Sequence, residues 1–372
     1  MTDLLTWRMR IGSSKVTCRH WPHPYSEQRV CTQRRVSEQV PIISRTQHFE
    51  HVDPHASIPQ SYQHEEPGDK PMNAAPVAHV GILVSDVVAA RNNWSKALGG
   101  TFSPVVRYRP AEWRFHSEVT TGDTDLRQTI YLGVDPSFEV QEFVHNGMHA
   151  ADRGEGGHHL GFPPIDDVAR HRDELSVIGV RPAAETYYRG RLIIEFTEPD
   201  DLNNVSAEFV VASPGHLNLK DDGSPVDRLP NGDGTVFDAD TIIGLDEGRP
   251  HSGVVEIGVV VDDIGRALGR WSAVTGRSFT DDAAMDGTRS VTSDGPGARI
   301  RLLEAIDPTA REGISYATIE VTDLKAERSR LIAEGIPLTL DTEMDIHVEP
   351  AYLNGFSLRY RLCTEVTSAV AG

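Results

Sequence analysis

The chain has 372 residues, of which 38% are hydrophobic and 7% aromatic, and its formal net charge at pH 7 is −19. This length accommodates two ordinary domains with additional segments, and the composition is that of a globular protein. The strongly negative charge argues against general nucleic-acid binding. No run of about 18 apolar residues is present, so the sequence predicts no transmembrane helix and no membrane partner.

The cysteines and the N-terminal composition point to a reducing compartment. Cys18, Cys31 and Cys363 form neither a CxxC pair nor an even disulfide framework. The early arginines are not followed by the apolar run of a secretory signal. We therefore expect a cytoplasmic protein.

Residues 1–76 differ in composition from the rest of the chain. Pro, His, Gln and Arg are scattered through most of this segment without an evident periodicity. The segment is therefore interpreted as an irregular extension, disordered or weakly ordered.

A fourfold internal repeat dominates the remaining sequence. Each copy opens with a short apolar run that ends in acidic or hydroxyl residues, and an Asp after a strand is a favourable helix N-cap. The four openings are HVGILVSDV from His79, HLGFPPIDDV from His159, EIGVVVDDI from Glu256 and YATIEVTDL from Tyr316.

A helix is predicted after each opening, because each following segment ends at a glycine, the usual helix stop. The predicted helices run from Val87 to Leu98, Asp167 to Ile178, Ile264 to Thr275 and Leu324 to Ala333.

Runs of β-prone residues follow each helix, so each copy is predicted to be a βαβββ module. One module cannot bury both faces of its sheet, but two side by side can close a curved sheet with the helices outside. The fold class is therefore α+β, with domains at 77–213 and 251–365 joined by a Gly-, Pro- and Asp-rich linker at 214–250.

This fourfold repeat resembles the vicinal oxygen chelate superfamily, the glyoxalase-like fold. The openings, together with closing strands such as FEVQEFV and SAEFVV in which a Glu lies between apolar residues, carry the resemblance. It implies metal ligands on the first and last strands of each module in a pair. Here those positions are His79, Glu139, His159 and Glu208.

Two imidazoles and two carboxylates suit a divalent ion such as Zn, Ni, Co, Mn or Fe(II). Glu142 and His158 are alternatives to Glu139 and His159. Glu142, three residues later in the strand, faces the opposite side from Glu139 unless a bulge intervenes. Glu139 is preferred because its distance from the Asp135-Pro136 turn resembles that in the superfamily. His159 is preferred because it directly precedes the apolar run.

The second pair of modules lacks this ligand set. Its equivalent positions are Glu256, Arg301, Tyr316 and Arg359, and an arginine cannot be deprotonated to bind a metal. The sequence therefore predicts a degenerate second domain without metal ligands, which serves as scaffold, dimer surface or lid.

The predicted function is that of a metal-dependent isomerase or epimerase. A metal ion that grips neighbouring substrate oxygens makes the C–H beside a carbonyl acidic by stabilising an enediolate, and Glu139 or Glu208 moves the proton. The scarcity of lysine favours a small polar keto substrate, sugar-derived or similar, over a CoA thioester. Five residues in two segments are predicted to bind it: Arg107, Arg109, His116, Tyr187 and Arg191.

Other functions stay open at this point. A glyoxalase I-type lyase or an extradiol ring-cleaving dioxygenase with Fe(II) would use a related ligand set. A non-catalytic small-molecule binding or resistance protein would not need the ligands. A homodimer is possible, although two paired domains in one chain could replace one.

Overall fold

The computed structural model describes two separate compact units, residues 1–66 and residues 67–372. In the first unit only three strands are described, and in the second unit the description begins at residue 74. The described ranges of the second unit are 74–108, 110, 112–120, 126–131, 133–188, 190–211, 253–282, 288–307 and 310–363.

The first unit contains a three-stranded antiparallel sheet formed by β1 (Thr6–Ile11), β2 (Ser14–His20) and β3 (Arg29–Arg34). The sequence analysis did not predict these strands. A period-two signal is present in β1, where Trp7, Met9 and Ile11 alternate with polar residues.

The second unit contains the four predicted βαβββ modules, and the first two share a mixed sheet. The strands of module 1 are β4 (His79–Val84), β5 (Val106–Tyr108), β6 (Glu112–Phe115), β7 (Glu118–Thr120), β8 (Leu126–Tyr131) and β9 (Ser137–Glu142). Those of module 2 are β10 (Gly156–Gly161), β11 (Pro182–Tyr188), β12 (Arg191–Thr197) and β13 (Ser206–Val210).

The strand order of this first sheet is β5-β8-β9-β4-β10-β13-β12-β11-β6-β7. In each module the first and last strands pair in parallel, β4 with β9 and β10 with β13. Antiparallel pairing of β4 with β10 joins the modules at the centre. The hairpin β6–β7 is an insertion in module 1 that extends the sheet by pairing with β11 of module 2.

Modules 3 and 4 form the second sheet by the same scheme, with no counterpart of the inserted hairpin β6–β7 among the described residues. Its order is β15-β16-β17-β14-β18-β21-β20-β19. The strands are β14 (Val254–Val261), β15 (Phe279–Asp281), β16 (Ser290–Ser293), β17 (Arg299–Glu304), β18 (Gly313–Val321), β19 (Leu338–Asp341), β20 (Asp345–Val348) and β21 (Ser357–Leu362).

Local capping signals set the four helices, which lie close to the predicted bounds. They are α1 (Val87–Leu98), α2 (Val168–Val177), α3 (Ile264–Thr275) and α4 (Leu324–Ala333). The aspartate before each helix accepts a hydrogen bond from a backbone N–H of the first turn. No helix among the described residues is both long and apolar enough to cross a membrane.

Aromatic packing joins the cores of the two sheets. Trp94 of α1 is fully buried, and its ring centre lies 5.2 Å from that of Phe138 in β9 and 5.4 Å from that of Phe356 before β21. Because one side chain contacts both sheets, residues 67–372 form a single compact unit. The predicted linker at 214–250 and the boundary at residue 365 lie outside the described residues.

Candidate metal centre

The two predicted histidine ligands lie on neighbouring strands at the centre of the first sheet. In the antiparallel pair β4–β10, His79 is opposite Gly161 and His159 is opposite Gly81. The two modules therefore present the same local pattern to each other, with one imidazole and one glycine on each strand.

The two glycines make room for the imidazoles. A Cβ atom at Gly81 would lie 1.9 Å from Cε1 of His159, and a Cβ at Gly161 would lie 1.9 Å from Cε1 of His79. Each ring therefore lies directly over the glycine of the neighbouring strand. The motif H-x-G in both modules is a packing requirement of this pair of rings.

The two glutamates occupy equivalent positions on the outer partners of these strands. Glu139 in β9 is in register with Gly81, and Glu208 in β13 is in register with Gly161. Their side chains are 9% and 10% exposed, so both carboxylates are held largely away from solvent.

The four side chains bring one donor atom each into a compact cluster, in which all donor atoms lie within 4.8 Å of one another. Nε2 of His79 is 3.2 Å from Nε2 of His159 and 2.9 Å from Oε2 of Glu208. Oε2 of Glu139 lies 3.3 Å from Nε2 of His159 and 3.7 Å from Nε2 of His79. We call these four residues the metal-ligand cluster.

The spacing of these atoms suits a single ion. Two ligand atoms bound at about 2.1 Å to one ion lie about 3.0 Å apart at a right angle and about 3.4 Å apart at a tetrahedral angle. The donor set of two nitrogens and two carboxylate oxygens can hold a divalent ion. No second group of three or more His, Cys, Asp or Glu in the described part of the chain meets this spacing.

Protons and a metal ion compete for this cluster. Burial alone would lower the pKa of His159, but hydrogen bonds to Glu139 and Glu208 raise it to about 9. Burial alone would raise the pKa of Glu208, but its hydrogen bonds to His159 and His79 hold that pKa well below its usual range. The carboxylates thus favour a positive charge at the position that an ion would take.

Glu142, the alternative ligand, faces the helix side of the sheet. Its carboxylate accepts hydrogen bonds of 2.7 Å from Arg127 and of 3.1 Å from the backbone N–H of Val87 at the start of α1. Glu139 and not Glu142 therefore lies in the cluster, and the two residues face opposite sides of β9, as alternation along a strand requires.

His158, the alternative to His159, is not a member of the metal-ligand cluster but contacts the His159 ring on the side away from Nε2. A register shift between Gly157 and His159 marks a bulge in β10, and His158 is also buried. Its Nε2 donates to the carbonyl oxygen of Met148 at 2.9 Å, and its Nδ1 lies 3.0 Å from Nδ1 of His159.

These two hydrogen bonds fix the protonation of His159. Burial lowers the pKa of His158 well below its usual value, so this ring is neutral. With its proton on Nε2, Nδ1 of His158 can only accept, and His159 must carry a proton on its own Nδ1. That tautomer leaves Nε2 of His159 free to bind a metal ion.

A cavity of about 240 Å³ opens beside the cluster. Leu126, Ile130, Ile194, Phe196 and Val210 form much of its wall. Trp113 on the inserted strand β6 closes one side. The sequence predicts that its segment, residues 107–116, lies in the pocket wall, but nothing local assigns the hairpin to the other module.

Two polar residues that the sequence analysis missed also line the cavity. Gln141 donates from Nε2 to Oε2 of Glu139 at 3.0 Å, while its Oε1 has no hydrogen-bond partner among the described residues. His149 is 3% exposed, burial lowers its pKa to about 3, and its Nε2 likewise has no partner among the described residues. The position of Gln141, two residues after Glu139 in one strand, is a signal that could have found it.

Of the five residues predicted to bind the substrate, the four that the structure describes are not among the residues that line this cavity. Arg107 is exposed, because its neighbour Tyr108 takes the position that faces the cavity. His116 hydrogen-bonds to Glu198 at 2.8 Å, and neither it nor Arg191 is among the lining residues. The Arg114 guanidinium covers the ring of Tyr187, 4.2 Å from its centre, away from the cavity wall. Arg109 lies outside the described residues.

The second sheet carries different chemistry at the equivalent positions, as the sequence predicts. Tyr316 is opposite Gly258, as His159 is opposite Gly81, and its hydroxyl donates to Oε1 of Glu256 at 2.8 Å. The guanidinium of Arg359 lies 3.3 Å from the centre of the Tyr316 ring. Arg301 forms an ion pair of 3.0 Å with Asp282. We call Glu256, Arg301, Tyr316 and Arg359 the second cluster.

The fold is similar to those of several proteins of known structure. A triple mutant of 4-hydroxymandelate synthase from Streptomyces coelicolor aligns with a TM-score of 0.53 at 14% identity, over 78% of this chain and 93% of that chain. A halotolerant catechol dioxygenase aligns with a TM-score of 0.46 at 11% identity, over 78% of this chain and 87% of its own. Methylmalonyl-CoA epimerase from Mycobacterium tuberculosis aligns with a TM-score of 0.28 at 20% identity, over 30% of this chain and 89% of its own.

Only the first of these three TM-scores is above 0.5, and at 14% identity it supports the fold and not an activity. It confirms the predicted tandem vicinal oxygen chelate architecture. No protein-family model matches the chain, and no curated protein sequence matches it.

Proposed function

We propose that this protein is a metal-dependent isomerase or epimerase that moves a proton at a carbon next to a carbonyl group. The observation that carries the proposal is the compact set of four donors from His79, Glu139, His159 and Glu208 beside a cavity of about 240 Å³. Two neutral imidazoles and two carboxylates balance the charge of a divalent ion. A bound divalent ion would act as a Lewis acid that increases the acidity of the C–H beside a carbonyl.

The two glutamates differ in how firmly the chain holds them. Oε2 of Glu208 lies 2.9 Å from Nε2 of His79, whereas Oε2 of Glu139 lies 3.7 Å from it. The Gln141 amide holds Oε2 of Glu139 from the cavity side. This geometry favours Glu139 as the group that takes and returns the proton, with Glu208 as the firmer ligand.

The experiment is exchange of substrate hydrogen with deuterium from the solvent, measured by NMR on simple hydroxyketones with the metal-loaded protein. We expect exchange at the carbon beside the carbonyl, and a fall of about a hundredfold or more in Glu139→Gln. Glu142→Gln is the matched control, because this residue lies in the same strand on the opposite face and should leave the exchange rate unchanged. Exchange that survives in Glu139→Gln at the wild-type rate would reject Glu139 as the base.

A ring-cleaving dioxygenase is the second candidate, and one observation favours it. The donors of His79, His159 and Glu208 lie 2.9–3.3 Å apart and form the tighter group, which matches a two-histidine, one-carboxylate iron site. In that case the protein would consume oxygen with a catechol when loaded with Fe(II). Glu139→Gln would then retain the dioxygenase activity. An isomerase or epimerase that uses Glu139 as its base would lose proton transfer in the same variant.

A further inference from the structure

The residues that line the cavity restrict the size and polarity of a substrate, which the metal-ligand cluster alone does not. This inference rests on the proposed function, because it concerns the molecule that would reach the same centre. Apolar side chains of Leu126, Ile130, Ile194, Phe196 and Val210 face the space beside the ligands. Among the described lining residues there is no Lys or Arg.

The charge of the centre itself argues against an anionic substrate. Two carboxylates already balance a divalent ion, so the centre has no net positive charge to offer to a phosphate or carboxylate group. An ionised group placed against the apolar wall would lose its hydration without gaining a charged partner, which is strongly unfavourable.

The hydroxyl groups of a sugar would meet a similar problem. Each buried hydroxyl without a hydrogen bond costs about 1–3 kcal/mol. Away from the ligands, the wall has polar side chains at a few positions, among them Tyr108, Gln128, Ser137, Gln141 and His149. The wall can therefore hydrogen-bond to polar groups at these positions, while the five apolar side chains leave the rest of a polyol without partners.

The size of the cavity sets a further limit. Its volume of about 240 Å³ is below the roughly 300–1,000 Å³ that is usual for sites of drug-sized ligands. A nucleotide-bearing thioester could place only its reacting end here.

We propose that the substrate class is a compact, uncharged hydroxyketone or 1,2-diketone whose two adjacent oxygens face the metal-ligand cluster and whose body is an apolar ring or branched chain. Leu126, Ile130 and Phe196 bury that body. This class differs from the small polar, sugar-derived substrate predicted from the sequence, because the described wall is largely apolar and Arg107 is exposed, whereas its neighbour Tyr108 lines the cavity.

The test is binding of three hydroxamates, each of which presents the same pair of adjacent oxygens, to the cobalt(II)-loaded full-length protein. The visible absorption of the cobalt ion reports each dissociation constant without any turnover. Benzohydroxamate is uncharged and apolar, acetohydroxamate lacks the apolar body, and 4-carboxybenzohydroxamate adds a negative charge. We expect benzohydroxamate to bind at least about tenfold more tightly than either of the others.

Two variants identify the wall. Ile130→Arg should weaken benzohydroxamate binding by about tenfold or more. The variant should bind 4-carboxybenzohydroxamate about as tightly as benzohydroxamate, or more tightly, because the new guanidinium can pair with the carboxylate. Val119→Arg is the matched control, because Val119 is 55% exposed and does not line the cavity.

Equal or tighter binding of acetohydroxamate or 4-carboxybenzohydroxamate to the wild-type protein would overturn the proposed substrate class. So would a preference for benzohydroxamate that Ile130→Arg leaves intact. Neither result would contradict the proposed function, because that function is tested by deuterium exchange. Absence of exchange with the hydroxamate order as expected would reject proton transfer and leave the substrate class standing.

Discussion

The first and second sheets present the same scaffold with opposite chemistry. In both, an aromatic ring from one central strand lies over a glycine of the other, His159 over Gly81 and Tyr316 over Gly258. In both sheets, the last strand of each module contributes one side chain at the equivalent register position opposite the first strand. At these positions the first sheet has Glu139 and Glu208, which complete the set of four candidate metal donors. The second sheet has Arg301 and Arg359 instead.

The difference separates what the fold requires from what the chemistry requires. The ring over the glycine is present with and without metal donors, so the close approach of the two central strands belongs to the fold. In the second cluster an arginine, stacked on Tyr316 and near Glu256, supplies the positive charge that an ion would supply in the first. Four side chains, and not the sheet, therefore decide which site can hold a metal ion.

The largest effect is expected from closing the space under the imidazoles. Gly81→Ala would place a Cβ 1.9 Å from Cε1 of His159, so the ring must move and the donor geometry is lost. We expect metal affinity, measured by competition with a chromophoric chelator, to fall by about a hundredfold or more.

Gly258→Ala is the counterpart in the second sheet, where the new Cβ would meet the Tyr316 ring at 1.9 Å. It should leave metal affinity unchanged and lower the free energy of unfolding by about 1–3 kcal/mol through overpacking. Wild-type metal affinity in Gly81→Ala would contradict the assignment of His159 as a ligand.

A smaller effect is expected from the hydrogen bond behind His159. His158→Leu removes the acceptor that holds the proton of His159 on Nδ1, and such outer partners change metal affinity by about 10–100-fold. His158→Asn can still accept with its side-chain oxygen and should recover most of the loss. Equal affinities of the Leu and Asn variants would mean that His158 acts through packing alone.

The proton on His159 predicts a pH dependence of the metal-free protein. Its pKa is about 9 in the folded state against 6.5 for the ordinary side chain. The stability that this proton contributes is therefore complete below about pH 6.5 and is lost as the pH rises through about 9. Urea unfolding in the presence of a chelator should show this decline, and His159→Gln should flatten it.

Metal affinity should change in the opposite direction over the same range. An ion must displace the proton of His159, so the apparent affinity should increase with pH by up to about tenfold per unit below pH 9. A metal affinity that is constant between pH 6.5 and 9 would show that His159 is not protonated in the metal-free site.

The smallest effect is expected in the second cluster. Tyr316→Phe removes the hydrogen bond of 2.8 Å to Glu256 and should lower the free energy of unfolding by about 1 kcal/mol. Metal content and deuterium exchange should stay at the wild-type level. A loss of metal in this variant would show that the second cluster takes part in the metal site.

Local signals were sufficient to predict the modules. The aspartate N-caps and the following glycines placed α1 at Val87–Leu98 and α3 at Ile264–Thr275, with the bounds that the structure has. The choice of Glu139 over Glu142 depended on the resemblance to the superfamily, because alternation places the two residues on opposite faces without indicating which face carries the ligands.

Pairing between distant strands could not be predicted in this way. The hairpin β6–β7 belongs to module 1 in sequence but pairs with β11 of module 2, so Trp113 reaches the cavity from an unexpected side. A shift of one residue separates Arg107, which is exposed, from Tyr108, which lines the cavity, and no turn or cap fixes that register in the sequence. The contact between His158 and His159 depends on a bulge that has no sequence signal of its own.

The most direct test of the difference between the two sheets is the metal stoichiometry of the full-length protein. The protein is purified without chelators, and a His79→Ala/His159→Ala double variant is prepared in the same way, with elemental analysis of both. We expect one equivalent of a divalent transition metal per wild-type chain and essentially none in the double variant. Two equivalents per chain, or metal retained in the double variant, would contradict the assignment of the metal site to the first sheet alone.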